Sequence, residues 1–153
     1  MVMKKIIKCQ PFLSIRVALI LTCVVSFGGC QSLNSAGTLY NELGGKSGIE
    51  RIMGEFLTAL SRDEVLLKYF NGADVERFHA KFSELLCEVS DGPCEYAGRN
   101  MVDIHTGMQI SEADFNHTVD LLVLAMNRAD ISHPVQNKLL ARLAPMRADI
   151  IKR

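Results

Sequence analysis

The stretch Met101-Val102-Asp103-Ile104-His105-Thr106-Gly107-Met108-Gln109-Ile110 holds one histidine in a short segment that Gly107 interrupts. Met101, Ile104 and His105 are spaced i, i+3 and i+4, so a helix would present them on one face. An imidazole between apolar side chains can offer a neutral nitrogen to a metal ion while water is kept away. The commoner alternative, for an arbitrary helix, is a core histidine that hydrogen-bonds to the backbone.

The charge distribution separates the N-terminal segment from the rest of the chain. The 153 residues suffice for one domain with one core. Four of the 17 basic residues and none of the 17 acidic residues fall in residues 1–29, so the remainder carries a net charge of −4. A mildly acidic body without a basic tract argues against nucleic acid as a partner.

Residues 1–29 are typical of an export signal. Basic residues precede a mostly apolar run, and small residues end it at Gly28-Gly29. The uncharged part, residues 17–29, spans only 13 residues, whereas a helix needs roughly 20 apolar residues to cross a bilayer. We therefore expect a signal peptide over residues 1–29 and no mature spanning helix.

Cys30 directly follows these small residues, in a context that resembles a bacterial lipobox, although Phe27 stands where leucine is usual. The resemblance implies that Cys30 carries a lipid, with residues 30–37 as a tether of small and polar residues. We expect an exported lipoprotein of the outer membrane or periplasm. Plain secretion and an uncleaved anchor are the alternatives.

The sequence from residue 38 onward predicts an all-α domain, because no segment alternates for long with a period of two. Ser47, Asp74, Ser111 and Ser132 are candidate helix starts. Pro145 is expected to bend or break the last helix. Apolar residues follow at helical spacing, and after Ser47 they are Ile49, Ile52, Met53, Phe56, Leu57 and Leu60.

Several motifs resemble, in their order, those of the group I truncated haemoglobins. They are Leu39-Tyr40, Gly44-Gly45, Tyr69-Phe70, Gly92-Pro93, Tyr96-x-Gly98, Met101…His105-x-Gly107 and Ile110-Ser111-x-x-x-Phe115. The resemblance covers a domain of residues 38–153. It implies a truncated globin fold, a two-over-two helical sandwich, with haem b between the third helix and the His105 segment.

Carried over by position, the resemblance makes His105 the proximal ligand of the haem iron and Phe70 the residue that wedges the porphyrin. A neutral imidazole in an apolar slot suits this chemistry. Tyr96 either approaches a haem propionate or fastens its loop, and both remain open. The residues expected around the haem are Phe70, Phe78, Phe82, Tyr96, Met101, His105, Phe115 and Leu122.

The side opposite His105 departs from the family pattern. Many group I members place a tyrosine in the second helix and often a glutamine in the third to hydrogen-bond oxygen. Here Leu57 and Phe82 occupy the matching positions, and Phe78 holds another inward position. A buried hydrogen bond to a charged acceptor contributes roughly 1.5–3 kcal/mol, about tenfold to a hundredfold in affinity. We therefore expect fast oxygen release and little preference for O₂ over CO or NO.

Lys81 is the remaining polar residue of this distal pocket, at a position that supplies a sixth iron ligand in a few truncated haemoglobins. A neutral lysine would need a pKa lowered by burial. The preferred alternative is a solvated ammonium whose stem lies over the haem edge. His79, His117 and His133 are expected at the surface.

Five cysteines serve different purposes in this interpretation. Two leave with the signal and Cys30 carries lipid. Cys87 and Cys94 could form a disulfide in an oxidising compartment, or remain two buried thiols. A Cys-x₂-Cys-His attachment motif is missing from the sequence, so we expect non-covalent haem.

The leading prediction is an exported, lipid-anchored haem globin that reversibly binds a diatomic gas, O₂, NO or CO, at five-coordinate iron. NO dioxygenation would need an electron donor from an unknown reductase, and a signalling partner is another open possibility. The alternatives are a redox or electron-transfer haem protein with Lys81 as a ligand, and a haem-free helical interaction lipoprotein.

Overall fold

A computed structural model of the protein describes residues 37–153. The predicted signal peptide and the tether up to residue 36, including Cys30, lie outside the described residues. The described part is helical without any strand, as predicted. Its helices are α1 (Leu39–Glu42), α2 (Gly45–Leu60), α3 (Glu64–Leu67), α4 (Val75–Val89), α5 (Met101–His105), α6 (Glu112–Arg128), α7 (His133–Leu143) and α8 (Arg147–Ile150), with 3₁₀ turns at Lys68–Phe70 and Ala144–Met146.

The predicted caps hold for two of the long helices. The Asp74 side chain accepts from the Arg77 N–H at 2.9 Å at the start of α4, and the Ser111 hydroxyl accepts from the Asp114 N–H at 3.0 Å at the start of α6. These bonds satisfy backbone donors that a helix start leaves without partners. Pro145 follows the end of α7, as expected, in a 3₁₀ turn.

The predicted start of α2 at Ser47 is wrong, because the helix begins at Gly45. Gly44 and Gly45 have φ values of +91° and +63°, a region that glycine enters without the steric cost other residues meet. The chain therefore turns sharply at this pair and the helix starts at once. Ser47 lies within the first turn, where its hydroxyl donates to the Gly44 carbonyl at 3.1 Å.

The four long helices form the expected two pairs, α2 with α4 and α6 with α7. α2 packs along α6 and against α4, while α7 contacts both α4 and α6. Side chains buried between them come from each pair, among them Ile52, Met53, Phe56, Leu86, Met126 and Leu139. Burial of apolar side chains is the main stabilising contribution to such a core. Within residues 37–153, no helix combines the length and apolar character that crossing a bilayer requires.

Gly48 allows α1 and α2 to approach closely. A Cβ at this buried position would overlap the carbonyl oxygen of Leu43. Gly54, six residues further along α2, is exposed and has no atom within 4 Å of the corresponding Cβ position. The two glycines thus lie on the same helix, but the space around their Cβ positions and their burial differ.

We predict opposite effects for alanine at these two positions. Gly48→Ala should lower the free energy of unfolding by about 1–3 kcal/mol or more, because the backbone of α1 must move. Gly54→Ala should raise it by about 0.5–1 kcal/mol, because alanine is the better helix former. Chemical denaturation followed by circular dichroism measures both, and equal effects would contradict the close approach.

Candidate functional site

One apolar cavity of about 240 Å³ lies between the helix pairs and is walled by α2, the Lys68–Phe70 turn, α4, α5, α6 and the C-terminal segment. Many of its lining side chains are half-buried, so the cavity is open to solvent. Nine residues singled out in the sequence lie together around it: Phe70, Phe78, Lys81, Phe82, Tyr96, Met101, His105, Phe115 and Leu122.

Leu57 is placed differently from its prediction as a distal-pocket residue. It is half-buried against the core, and the cavity is lined by its neighbour Phe56. Successive helix residues point about 100° apart, and at this point of α2 it is Phe56 that faces the cavity. Phe56, which is 1% exposed, fills this part of the wall.

Other lining residues were not assigned to the site from the sequence, although Tyr69, Ile104 and Ile110 belong to segments that it singled out. Val119 lies between Phe115 and Leu122 at helical spacing, a signal that could have identified it. Residues of α8 and the preceding turn gave no such signal, because their proximity to α5 depends on the path of the C-terminal chain. The missed residues are Phe56, Leu66, Tyr69, Leu85, Ile104, Met108, Ile110, Thr118, Val119, Leu143, Met146 and Ile150.

His105 ends α5 and its ring lines the cavity. Its Nδ1 lies 2.7 Å from the carbonyl oxygen of Met101, one turn earlier. A carbonyl can only accept, so Nδ1 carries a proton, and in the neutral ring the lone pair is then on Nε2. The backbone bond and the ligand role, alternatives in the sequence, therefore use different nitrogens of one ring.

The segment around His105 is fixed at both ends. The Asn100 side chain accepts from the Asp103 N–H at 2.9 Å, which starts α5. Gly107, at φ +87°, turns the chain after the helix. Beyond it, the Gln109 N–H donates to the Arg153 carbonyl at 2.9 Å. This five-residue helix is too short to be stable alone, so its neighbours hold it in place.

Aromatic rings form a continuous wall. The Phe70 and Phe78 centroids are 5.0 Å apart, and those of Phe78 and Phe82 are 5.6 Å apart. Phe56 extends the cluster, with its centroid 5.7 Å from that of Phe82. Such separations are within the range of favourable aromatic pairs. These four side chains therefore offer no hydrogen-bond donor to the cavity.

Lys81 lines the cavity with its stem, and its ammonium lies 2.7 Å from Glu84 Oε2. Both side chains are about one-third exposed, so the ion pair lies towards solvent. The ammonium is thus paired with a carboxylate at the edge of the cavity, while a role of Lys81 towards haem stays a prediction.

Tyr96 fastens its own loop. Its hydroxyl donates to the Arg99 carbonyl at 3.0 Å, and its ring packs so closely on Gly98 that a Cβ there would overlap it. Burial raises the pKa of Tyr96 above its ordinary value. Of the two roles left open for this residue, the structure shows the loop contact.

A polar cluster secures the turn that carries Phe70. The Tyr69 hydroxyl donates to Asp114 Oδ2 at 2.6 Å, and the Lys68 ammonium lies 3.1 Å from the same oxygen. These two hydrogen bonds hold the pKa of Asp114 below its ordinary value. Burial and the bond to Asp114 raise the pKa of Tyr69. The Lys68–Phe70 turn is thus tied to the start of α6.

Among residues 37–153, the remaining histidines and the two cysteines do not line the cavity. His117 lies 2.5 Å from Asp63, and His79 lies 3.3 Å from Glu50, both as partly exposed pairs. His133 is exposed. Cys87 and Cys94 form a disulfide, with their Cα atoms 5.8 Å apart. Of the two alternatives for these cysteines, disulfide and free thiols, the disulfide is the one present.

The donor set fits haem. A single imidazole in an apolar cavity suits a metal ion that brings its other ligands with it, and the Met101 carbonyl fixes the tautomer that such an ion needs. The aromatic and aliphatic walls suit a flat apolar ring. The half-exposed rim, with the Lys81 ammonium beside it, suits a ring that has a charged edge.

Known proteins are similar to this chain in sequence and in fold. A group 1 truncated hemoglobin GlbN from a Nostoc species is 27% identical over 116 residues, which cover 76% of this chain and 98% of the relative. Its counterpart from Mycolicibacterium paratuberculosis is 26% identical over 113 residues, 74% and 83% of the two chains. The crystal structure of the Fe(III) truncated hemoglobin from Tetrahymena pyriformis superposes with a TM-score of 0.73 at 22% identity and covers 76% of this chain and 100% of that one.

The structural likeness, at that identity, concerns the fold. The family described as bacterial-like globins matches residues 38–152, nearly all of the described chain. This match and the shared helical arrangement show that the protein belongs to the bacterial-like globin family, as a haem-binding truncated globin.

Proposed function

We propose that this globin reversibly binds a diatomic gas, O₂, NO or CO, at a five-coordinate haem iron held by His105 Nε2. The observation that carries the proposal is the 2.7 Å bond from His105 Nδ1 to the Met101 carbonyl, which leaves Nε2 free to ligate. Haem supplies an iron whose sixth position can take a small ligand. The protein's part is to hold the ring, exclude water and set the polarity around the ligand.

The hydrogen bond between Lys81 and Glu84 supports the five-coordinate form. The Lys81 ammonium is 2.7 Å from Glu84, and ligation would require it to leave this carboxylate and lose a proton. A buried, neutral lysine is costly where an ion pair at the surface is available. The geometry therefore favours an open sixth position over the redox alternative with Lys81 as a ligand.

The small number of available hydrogen-bond donors in the cavity wall supports weak retention of oxygen. The polar side chains of the cavity wall other than His105 and Lys81 have their hydroxyls engaged elsewhere: Tyr69 with Asp114, Tyr96 with Arg99, and Thr118 with the Asp114 carbonyl. The rings of Phe56, Phe78 and Phe82 supply the rest of that wall without donors. Oxygen, which gains negative charge on binding, finds no partner there, whereas CO needs none.

We also propose that the globin is exported and held at a membrane by a lipid on Cys30. The character of residues 1–29 supports this, as does the Cys87–Cys94 disulfide, because disulfides persist in oxidising compartments. An oxidising location would also separate the protein from cytosolic reductases, which makes sustained NO dioxygenation a poor fit.

His105→Ala should abolish the Soret band of the purified protein, because the only imidazole in the cavity wall is lost. His79→Ala, a histidine on α4 outside the cavity, is the matched control and should keep the band. Absorption spectra of the two variants, each reconstituted with haem, provide the measurement. A full Soret band in His105→Ala would remove the basis of the proposal.

A six-coordinate ferrous spectrum that Lys81→Ala abolishes would establish the redox alternative instead.

Phe78→Gln should slow oxygen dissociation by roughly tenfold to a hundredfold, because the amide adds a donor beside the ligand. Phe78→Leu removes the ring without adding a donor and should leave oxygen release fast. Flash photolysis and stopped-flow mixing give the rates for O₂, with CO as a ligand that should respond little. Slow oxygen release in the unmodified protein would contradict the apolar distal wall.

Cys30→Ser should move the globin from the membrane fraction to the soluble fraction of the bacterial envelope, because the acceptor of the lipid is lost. Cys94→Ser serves as a control cysteine change that should stay with the membrane. Fractionation and immunoblotting give the result. A membrane-bound Cys30→Ser variant would show that an uncleaved segment, and no lipid, provides the anchor.

A further inference from the structure

The loop between α4 and α5 has few attachments of its own. The Gly92 N–H donates to the Cys87 carbonyl at 2.9 Å. Beyond it, and within the part of the chain that the structure describes, residues 93–99 make no backbone–backbone hydrogen bond. The Tyr96–Arg99 bond lies inside the loop and does not tie it to a helix. The order of this segment therefore depends on side-chain anchors.

The disulfide is the covalent anchor of this loop. Cys87 is on α4 and only 3% exposed, whereas Cys94 is exposed in the loop. The chain passes so closely over α4 that a Cβ on Gly92 would lie 2.6 Å from the Cys87 sulfur and 2.7 Å from the Tyr40 ring. The bond thus fixes the loop on a part of the helix that packs in the core.

The same loop leads directly to the haem site. Tyr96, two residues after Cys94, lines the cavity, and Asn100 caps the helix that ends in His105. On its far side this helix is held by backbone bonds, Gln109 to Arg153 and Lys152 to Ile110. A loosened loop would therefore release one wall of the cavity and one end of α5 while the other end stays fixed.

We infer that Cys87–Cys94 is a redox modification site whose state sets how firmly haem is retained, and that its partner is a dithiol–disulfide oxidoreductase. A thiolate of the dithiol attacks the exposed Cys94 sulfur, the Cys87–Cys94 bond breaks, and the Cys87 thiolate leaves and takes up a proton. The second thiol of the dithiol then displaces Cys94. Two electrons pass to the globin, which gains two thiols, while the dithiol becomes a disulfide.

The difference in burial between the two cysteines gives this exchange a direction. Cys94 is an exposed residue and Cys87 is buried, so attack at Cys94 is favoured, the mixed disulfide forms on the loop and the Cys87 sulfur is the leaving group. The loop can then swing away with the partner attached. Re-oxidation reverses these steps and returns Tyr96 to the cavity wall.

The test compares haem loss from the oxidised full-length holoprotein with haem loss after treatment with dithiothreitol. Excess apomyoglobin takes up released haem, and the Soret change reports the rate. We expect roughly tenfold faster loss after reduction, within the entropy that closing so short a loop can supply. The Cys87→Ser/Cys94→Ser variant should lose haem at the fast rate with or without the dithiol, which separates the disulfide from other effects of the reagent.

Trypsin provides a second readout that does not depend on haem. Arg99 is exposed and is the only lysine or arginine between Cys94 and Asn100, so cleavage after it should accelerate when the bond opens. Circular dichroism should show that the long helices persist. Equal haem loss and equal cleavage in the two redox states would overturn the inference. Loss of helical signal on reduction would also overturn it, because the disulfide would then be a staple of the whole fold.

Discussion

The hydrogen bond between His105 Nδ1 and the Met101 carbonyl is the interaction on which the function of this fold depends. It places the proton of the neutral ring on Nδ1, so the lone pair is on Nε2. It also fixes the ring plane relative to α5, since donor and acceptor are one helical turn apart. A ring with its proton on Nε2 would fill the same space and could not ligate iron through that nitrogen.

Hydrogen bonds also fix the other polar groups of the cavity wall. Every hydroxyl and ammonium group that reaches the wall is bound to an acceptor outside it, as Tyr69 is to Asp114 and Lys81 is to Glu84. The Tyr69–Asp114 bond satisfies a part-buried hydroxyl that would be costly to leave unpaired. These contacts also hold the polar groups by acceptors of their own, so the rest of the cavity wall is mostly apolar. One set of contacts thus serves both stability and the apolar character of the wall.

Local patterns in the sequence predicted the all-α class and the caps at Asp74 and Ser111, because each depends on spacing within one helix, whereas the ligand role of His105 was implied by the family resemblance. Long-range contacts were harder. Leu57 and Phe56 are both apolar and adjacent, and only the rotation of α2 against α4 selects Phe56 for the cavity. The approach of α8 to α5 likewise depends on how the chain returns after α7, which no local pattern records.

The helix that carries His105 cannot hold its position by itself. α5 has five residues and contains no buried residue, so neither helix propensity nor core burial can hold it. Its position depends on the Asn100 cap on one side. On the other side it depends on the backbone hydrogen bonds that join Gln109 and Ile110 to the C-terminal residues Arg153 and Lys152. Any change that frees one of these attachments alters the imidazole before it alters the long helices. Control of haem binding is therefore separable from control of folding, since the core between α2 and α6 does not rely on α5.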